Sequence, residues 1–165
     1  MKVKHWFGGT IVAGAIAAAL WFAIARPATP APDITLTTIT GERIALKTLQ
    51  GKPVIVAFWA TDCPVCIEEI PDLIALYDDF HDRGLEIIAV AMYYDPPNHV
   101  VEMTRAKRIP YRVALDLRAE HARAFGNVRL IPTTFLIEAD GTIGLHHVGA
   151  FDPADIRQRI EAALE

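Results

Sequence analysis

Apolar residues are distributed very unevenly along the chain, and the longest apolar run lies near its N-terminus. Residues 6–25 contain no charged side chain and a single Thr, and a helix of that length spans about 30 Å, the thickness of a bilayer core. Lys2 and Lys4 precede the run, so the positive-inside rule places residues 1–5 in the cytoplasm. The pattern predicts a transmembrane anchor with the rest of the chain exported. A cleaved signal peptide is the alternative, because residues 23–25 (Ala-Ile-Ala) have the small-x-small form of a cleavage site.

The remainder of the chain predicts a spacer and one folded domain. Residues 26–32 hold three prolines, which favours an extended linker, and residues 33–165 follow as the domain. One continuous apolar run, residues 53–59, predicts a strand covered on both faces, and residues 85–92 predict a second buried strand. The helical period over residues 64–83 predicts an amphipathic helix with one apolar face.

Shorter patterns complete the predicted order β-β-β-α-β-α-β-α-β-β-α. Apolar and polar residues alternate over residues 34–46 on both sides of a turn, which predicts an N-terminal β-hairpin extension. Asn98 is the expected N-cap of a helix running to about Arg108, and Asp152 that of the last helix, with Pro153 at its first position. Strand–helix alternation that ends in a hairpin predicts a layered α/β fold with a mixed sheet flanked by helices.

Composition narrows the function classes. The 165 residues include 16 Lys+Arg and 20 Asp+Glu, a net charge of -4, which argues against a nucleic-acid partner because such proteins carry a basic stripe. The mean hydropathy of +0.25 comes largely from the N-terminal run. After Arg26, 13 basic residues face 20 acidic ones, so the domain is more acidic than the whole chain.

The two cysteines, Cys63 and Cys66, form a Cys-Pro-Val-Cys motif where a predicted buried strand meets a predicted helix. A cysteine at a helix N-terminus is stabilised as a thiolate by unpaired N–H groups and the helix dipole. The second cysteine lies one turn further in, shielded but within bonding distance. This arrangement suits a dithiol that exchanges disulfides, with an exposed nucleophile and a resolving thiol.

Other uses of this cysteine pair are weighed against redox exchange. A structural disulfide would close too small a loop to restrict the unfolded chain much. A metal site would need further ligands, and the neighbours His146 and His147 point to opposite faces of a strand. A copper(I) chaperone would use the same two thiols. A thiol peroxidase would need a Thr three residues before the nucleophile, whereas Thr61 stands two before Cys63.

Three separated motifs carry a resemblance to a known family. Residues 51–66 (GKPVIVAFWATDCPVC) resemble the core of the thioredoxin superfamily. Residues 67–71 (IEEIP) and 131–137 (IPTTFLI) narrow the resemblance to membrane-anchored, TlpA/ResA-like thiol-disulfide oxidoreductases. The resemblance covers about residues 33–164 and implies a thioredoxin-like fold.

The resemblance also implies roles for single residues. Cys63 matches the attacking cysteine, Cys66 the resolving one, and Pro132 the cis-proline that faces the disulfide; cis bonds are essentially confined to proline. The backbone around Ile131 would pair with an extended substrate segment. The expected substrate contacts are Ile131, Pro132, Thr133, Trp59, Pro64 and Val65. No cofactor beyond the redox disulfide and no metal is expected.

Glu69 matches the acidic residue that this subfamily places near the buried thiol. It stands three residues after Cys66, so the two share a helix face, and burial should raise the pKa of its carboxyl. Thioredoxin's buried aspartate corresponds here to Ala57, which leaves proton handling to Glu69. The alternative is a solvated helix glutamate, a description that fits Glu68 better.

Two departures from the pattern bear on the direction of electron flow. Asp62 stands where thioredoxin has Trp, and Val65 stands where strongly oxidising DsbA has a thiolate-stabilising His. Both predict a less stabilised Cys63 thiolate and therefore a reductant. The implied partners are exported proteins such as apocytochrome c or a copper-delivery protein, and a membrane electron donor of the DsbD/CcdA type. Residues 92–97 are expected to be a plain connection rather than part of the partner surface.

Overall fold

A computed structural model of the protein describes residues 29–164. The predicted membrane-spanning run, residues 6–25, lies outside the described part of the chain. Within residues 29–164, no helix combines the length and apolar character needed to cross a membrane.

In the described part of the chain, seven strands and four α-helices follow one another in the predicted order. The strands are β1 (Thr35–Thr37), β2 (Arg43–Ala45), β3 (Val54–Trp59), β4 (Glu86–Ala91), β5 (Arg112–Leu115), β6 (Thr133–Ile137) and β7 (Ile143–Val148). The helices are α1 (Pro64–Phe80), α2 (Pro97–Ala106), α3 (Glu120–Ala124) and α4 (Pro153–Ala163), with 3-10 turns at Leu46–Leu49 and His81–Arg83.

The central sheet is mixed, with strand order β5-β4-β3-β6-β7. Strand β3 runs parallel to β4 and antiparallel to β6, and β4 runs parallel to β5. Every residue of β3 and β4 is buried, as predicted, including the charged Glu86 of β4. The predicted mixed α/β sheet is therefore confirmed.

Two cores form because successive strand residues point to opposite faces of the sheet. On one face, Ile55, Ala57 and Trp59 of β3 pack with the inner stripe of α1, with Val100 of α2 and with α4. On the other face, Val54, Val56 and Phe58 pack with the β1–β2 hairpin and with α3. The α1 helix, which carries Cys66, is thus held by its apolar stripe against the middle of the sheet.

The N-terminal segment of the described chain pairs with the far edge of the sheet. Ala31 donates to the Gly141 carbonyl at 2.9 Å, and Ile143 donates to the Thr29 carbonyl at 2.8 Å. Residues 29–31 therefore join β7, ahead of Asp33, where the pattern predicts the domain to begin.

One predicted cap is correct and one is wrong. The Asp152 side chain caps α4 by accepting from Ala154 N, with Pro153 at the first helical position. Asn98 does not cap α2: the helix begins at Pro97, and the N-cap residue is Pro96, which makes no side-chain cap. Proline at the first helical turn needs no N–H partner, so the helix starts one residue before Asn98.

Candidate active site

Cys63 caps the N-terminus of α1, as predicted. Its backbone is extended, and its Sγ accepts from Cys66 N at 3.2 Å. The turn after β3 is closed by a bond from Cys63 N to the Ala60 carbonyl at 3.2 Å, and Pro64 occupies the first helical position, where its fixed φ suits the helix. The buried strand thus delivers Cys63 to a rigid helix start.

Cys63 and Cys66 form a disulfide in which the two sulfurs differ in accessibility. The S–S distance is 2.17 Å and the Cα atoms are 5.3 Å apart. Cys66 is 3% exposed, whereas Cys63 is half-buried. An incoming partner can therefore reach the Cys63 sulfur first, and Cys66 is left to act from within the protein.

Pro132 follows a cis peptide bond, Ile131–Pro132, as the resemblance implies. The bond directly precedes β6, whose Thr133 pairs with Phe58 near the end of β3. Pro132 and Cys66 line the same small internal cavity. Pro132 itself is buried, and Ile131 is half-buried next to it.

Glu69 is buried on the inner face of α1, one turn after Cys66. It is 6% exposed, and its Oε1 accepts from Phe151 N at 2.8 Å. Burial raises the pKa of the Glu69 carboxyl, and the Phe151 bond lowers that pKa by a smaller amount. A carboxyl group with a raised pKa beside Cys66 is suited to accept and return a proton. Glu68 is exposed, as expected of the solvated neighbour.

Tyr111 shares the cavity with Glu69 and Cys66. Burial raises the pKa of the Tyr111 hydroxyl, and the charge of Glu69 raises that pKa further. The sequence pattern gave no role to this residue. Tyr111 is 5% exposed and belongs to the buried lining of the cavity around Glu69.

The predicted substrate contacts divide into surface and interior residues. Pro64 and Val65 are exposed beside the disulfide. Trp59 and Thr133 are 5% and 1% exposed, so their burial removes them from any surface that a protein partner could touch. Trp59 is the last residue of β3, whose two faces are both covered, and the Thr133 hydroxyl donates to the Leu130 carbonyl at 2.7 Å.

Asp95 is a site residue that the sequence pattern missed. Its carboxylate is buried and accepts two bonds from Thr61, one from the backbone N at 2.6 Å and one from Oγ1 at 2.7 Å. Thr61 stands two residues before Cys63. Residues 92–97 are therefore more than a connection, because Asp95 anchors the turn that carries the attacking cysteine.

The histidine pair does not form a metal site with the cysteines. The His146 ring stacks on Phe135, with centroids 4.4 Å apart, whereas His147 Nε2 lies 2.9 Å from the Ala150 carbonyl. Their separate neighbours agree with the prediction that they face opposite sides of β7. Across residues 29–164, no group of three His, Cys, Asp or Glu side chains is arranged to hold a metal ion.

Comparison with known proteins agrees with this geometry. The model of the AhpC/TSA family matches residues 27–146. The chain is 32% identical over 138 residues to the thiol-disulfide oxidoreductase ResA of Halalkalibacterium halodurans, covering 84% of this chain and 77% of that protein. It is 29% identical to the thioredoxin-like protein YneN of Bacillus subtilis, covering 79% and 76%.

A solved structure is similar over nearly its whole length. The thiol:disulfide interchange protein of the thioredoxin family from Chlorobium tepidum superimposes with a TM-score of 0.77 at 32% identity, covering 85% of this chain and 99% of that one. The fold is therefore thioredoxin-like.

Proposed function

This chain belongs to the AhpC/TSA family and is a thiol-disulfide oxidoreductase, and from that premise we propose that it reduces disulfides in exported partner proteins. The observation that best supports this proposal is the unequal exposure of the two cysteines. Cys63 can be reached at the start of α1, whereas Cys66 is buried one turn further into the helix. Such a pair can attack one partner and then release it.

The reaction proceeds in two exchanges. The Cys63 thiolate attacks one sulfur of a partner disulfide, that S–S bond breaks, and the other partner sulfur leaves as a thiolate that takes up a proton. Cys66 then loses its proton to Glu69, and its sulfur attacks Cys63 Sγ. The mixed disulfide breaks, the partner is left as a dithiol, and Cys63–Cys66 is oxidised by two electrons.

The direction of reduction is supported by the surroundings of Cys63. Its Sγ accepts one bond from Cys66 N, the exposed Asp62 carboxylate stands next to it, and Val65 supplies no charge. A negative neighbour disfavours the thiolate, and a weakly stabilised thiolate makes the dithiol the better reductant. In equilibrium with glutathione, we expect a midpoint well below the DsbA value of about −120 mV. A midpoint near that value would refute the reductase direction.

Trapping the mixed disulfide tests the function directly. Cys66→Ser removes the resolving thiol, so the full-length variant should accumulate covalent complexes with exported partners, each released by dithiothreitol. Cys63→Ser is the matched control and should capture none, because the remaining sulfur is buried. Equal capture by both variants, or capture by neither, would contradict the assigned roles.

The partners and location form part of the same proposal. Residues 6–25 would anchor the chain in the inner membrane, or be cleaved to leave a soluble periplasmic protein, and a DsbD/CcdA-type membrane protein would return the electrons. Apocytochrome c and copper-delivery proteins of an oxidase are the first substrates to assay. Mass spectrometry of the trapped complexes identifies them.

Two other chemistries have distinct readouts. A copper(I) chaperone would bind the metal stoichiometrically through both thiols, and binding would be lost in Cys66→Ser. A thiol peroxidase would consume hydrogen peroxide rapidly. The Thr61 hydroxyl argues against this activity, because it already donates to Asp95 and is engaged there rather than with a peroxide at Cys63. Metal titration and peroxide consumption should both be negative for the reduced protein.

A further inference from the structure

An open groove of about 560 Å³ lies between the loop after β4 and the segment that contains α3. Tyr93 and Tyr94 form part of one wall, and Arg118, Arg123 and Arg129 stand along the other. We refer to this feature, defined by these five residues, as the arginine groove. The tyrosines are 55% and 48% exposed, and their rings pack edge to face with centroids 5.3 Å apart.

The positive charge of the groove is only partly neutralised. Arg118 is paired with Glu120 through two hydrogen bonds. None of the ion pairs within residues 29–164 involves Arg123 or Arg129. The nearby Asp116 is buried, and its two oxygens accept from His121 N and Ala122 N at the start of α3.

Arg129 is held in place by a neutral neighbour. With the Asn127 amide turned to match its surroundings, its oxygen accepts from Arg129 Nε at 3.0 Å and Nη2 at 2.9 Å. Asn127 has a left-handed backbone, with φ of 66°, a conformation that Asn tolerates. The guanidinium is thus positioned without loss of its charge. An unneutralised, oriented guanidinium recognises carboxylates well.

Both walls of the groove connect directly to the redox site. Tyr94 lies near Asp62, the residue before Cys63: burial raises the pKa of the Tyr94 hydroxyl, and the Asp62 charge raises that pKa further. The next residue, Asp95, binds Thr61. On the other wall, Arg129 is two residues from the cis bond between Ile131 and Pro132. A polypeptide whose disulfide sits at Cys63 therefore has the groove beside it.

We propose that the arginine groove binds an acidic segment of the substrate protein that flanks the disulfide being reduced, a proposal that rests on the function proposed above. Charge complementarity is the main argument, because two unpaired guanidinium groups line the groove in a domain whose 20 acidic residues outnumber its basic ones. Exposed tyrosines supply the apolar contact, and Tyr and Arg are the residue types enriched at protein interfaces. The groove thus selects among exported disulfides by the charge next to them.

Matched peptides test this selection. Two synthetic disulfide-bridged peptides differ only in a flanking segment, four Glu in one and four Gln in the other. The reduced full-length protein is mixed with each peptide, and the second-order rate constants are measured after acid quench. We expect the acidic peptide to react about fivefold faster at low salt, with the ratio falling towards one in 0.5 M salt as screening increases.

Variants assign the preference to the groove. Arg123→Gln/Arg129→Gln should bring the acidic-to-neutral ratio close to one, and Arg123→Glu/Arg129→Glu should take it below one, which a merely structural effect would not do. Arg43→Gln is the matched control, because Arg43 is exposed in the β1–β2 hairpin and its loss should leave the ratio at the wild-type value.

Four outcomes would overturn this proposal or the function on which it rests, and each has a separate signature. Equal rates for the two peptides with the wild-type protein, or a preference that survives the double substitution, would remove the groove's role while leaving the reductase intact. Equal peptide rates combined with Arg123- and Arg129-dependent binding to phosphatidylglycerol vesicles would make the groove a membrane contact instead. Failure to reduce either peptide and the neutral hydroxyethyl disulfide would refute the proposed reductase function itself.

Discussion

The bonds between Asp95 and Thr61 predict a large loss of stability when the Asp95 side chain is truncated. Asp95→Ala leaves the Thr61 backbone N–H and hydroxyl without their acceptor at a partly buried site. A hydrogen bond to a charged group contributes roughly 1.5–3 kcal/mol. The wild-type protein also bears the cost of burying the carboxylate, which offsets part of the gain. We therefore expect Asp95→Ala to lower the free energy of unfolding by about 3 kcal/mol.

The chain contains a surface control in which an aspartate also accepts from the backbone N and the hydroxyl of one Thr. Asp140 accepts from Thr142 N at 2.8 Å and from Thr142 Oγ1 at 2.7 Å, but it is exposed. In Asp140→Ala, water replaces the lost acceptor, so the loss should be clearly smaller. Comparing the two variants separates the contribution of burial from that of the hydrogen bonds.

Urea unfolding of the oxidised full-length protein, followed by tryptophan fluorescence, measures both variants. With a denaturant slope of about 1–3 kcal/mol/M, the Asp95→Ala midpoint should fall by at least about 1 M. Thr61→Val removes the hydroxyl bond alone and should fall between Asp95→Ala and the wild type. If Asp95→Ala loses no more stability than Asp140→Ala, then burial adds nothing to these bonds and the reasoning is refuted.

Three further predictions concern the buried carboxyl, the core and a helix cap. Burial raises the pKa of Glu69 above its ordinary value of 4.5, so the folded state holds the carboxyl proton more tightly than the unfolded state does. The free energy of unfolding of the wild type therefore falls as the pH rises from below 4.5 through the folded-state pKa. Glu69→Gln should therefore gain stability relative to wild type between pH 4 and pH 8 in urea titrations, while exposed Glu68→Gln should show no such gain. Phe58→Ala should lower the unfolding free energy by about 3–5 kcal/mol, since the ring is fully buried; a loss below 1 kcal/mol would contradict the described packing. Asp152→Ala should cost about 1 kcal/mol through loss of the α4 cap, and an unchanged melting temperature would show that the cap contributes nothing.

Local sequence pattern determined the order of elements and the position of the cysteines. Strand β3 is a continuous apolar run, and β4 is apolar except for Glu86, because both faces of the sheet are covered. The end of β3 and Pro64 place Cys63. The same continuity already predicts that Trp59, the last residue of the run 53–59, is buried, which conflicts with the substrate contact expected of it. The α2 start was misplaced for a local reason, because Pro97 accepts the first helical position and excludes Asn98 from the cap.

The bonds between Asp95 and Thr61 could not be found from spacing, since 34 residues separate the two. A signal was nevertheless present. Strands β3 and β4 are parallel and in register, with Trp59 beside Ala91, so the residues that follow each strand meet at one edge of the sheet. An acidic residue shortly after β4 was therefore placed to bind the turn after β3. Recognising it requires knowing that the strands are neighbours, which is tertiary information.

The pairing of residues 29–31 with β7 puts the start of the described chain at one end of the central sheet and the redox site at the other. Ile143 at the start of β7 pairs with Ile137, and Ile137 pairs with Val54, the first residue of β3. Cys63 instead follows the last residue of that strand. The six residues of β3, at about 3.3 Å each, separate these two ends of the sheet by roughly 20 Å. The end of the sheet that carries the disulfide is therefore left free of residues 29–31.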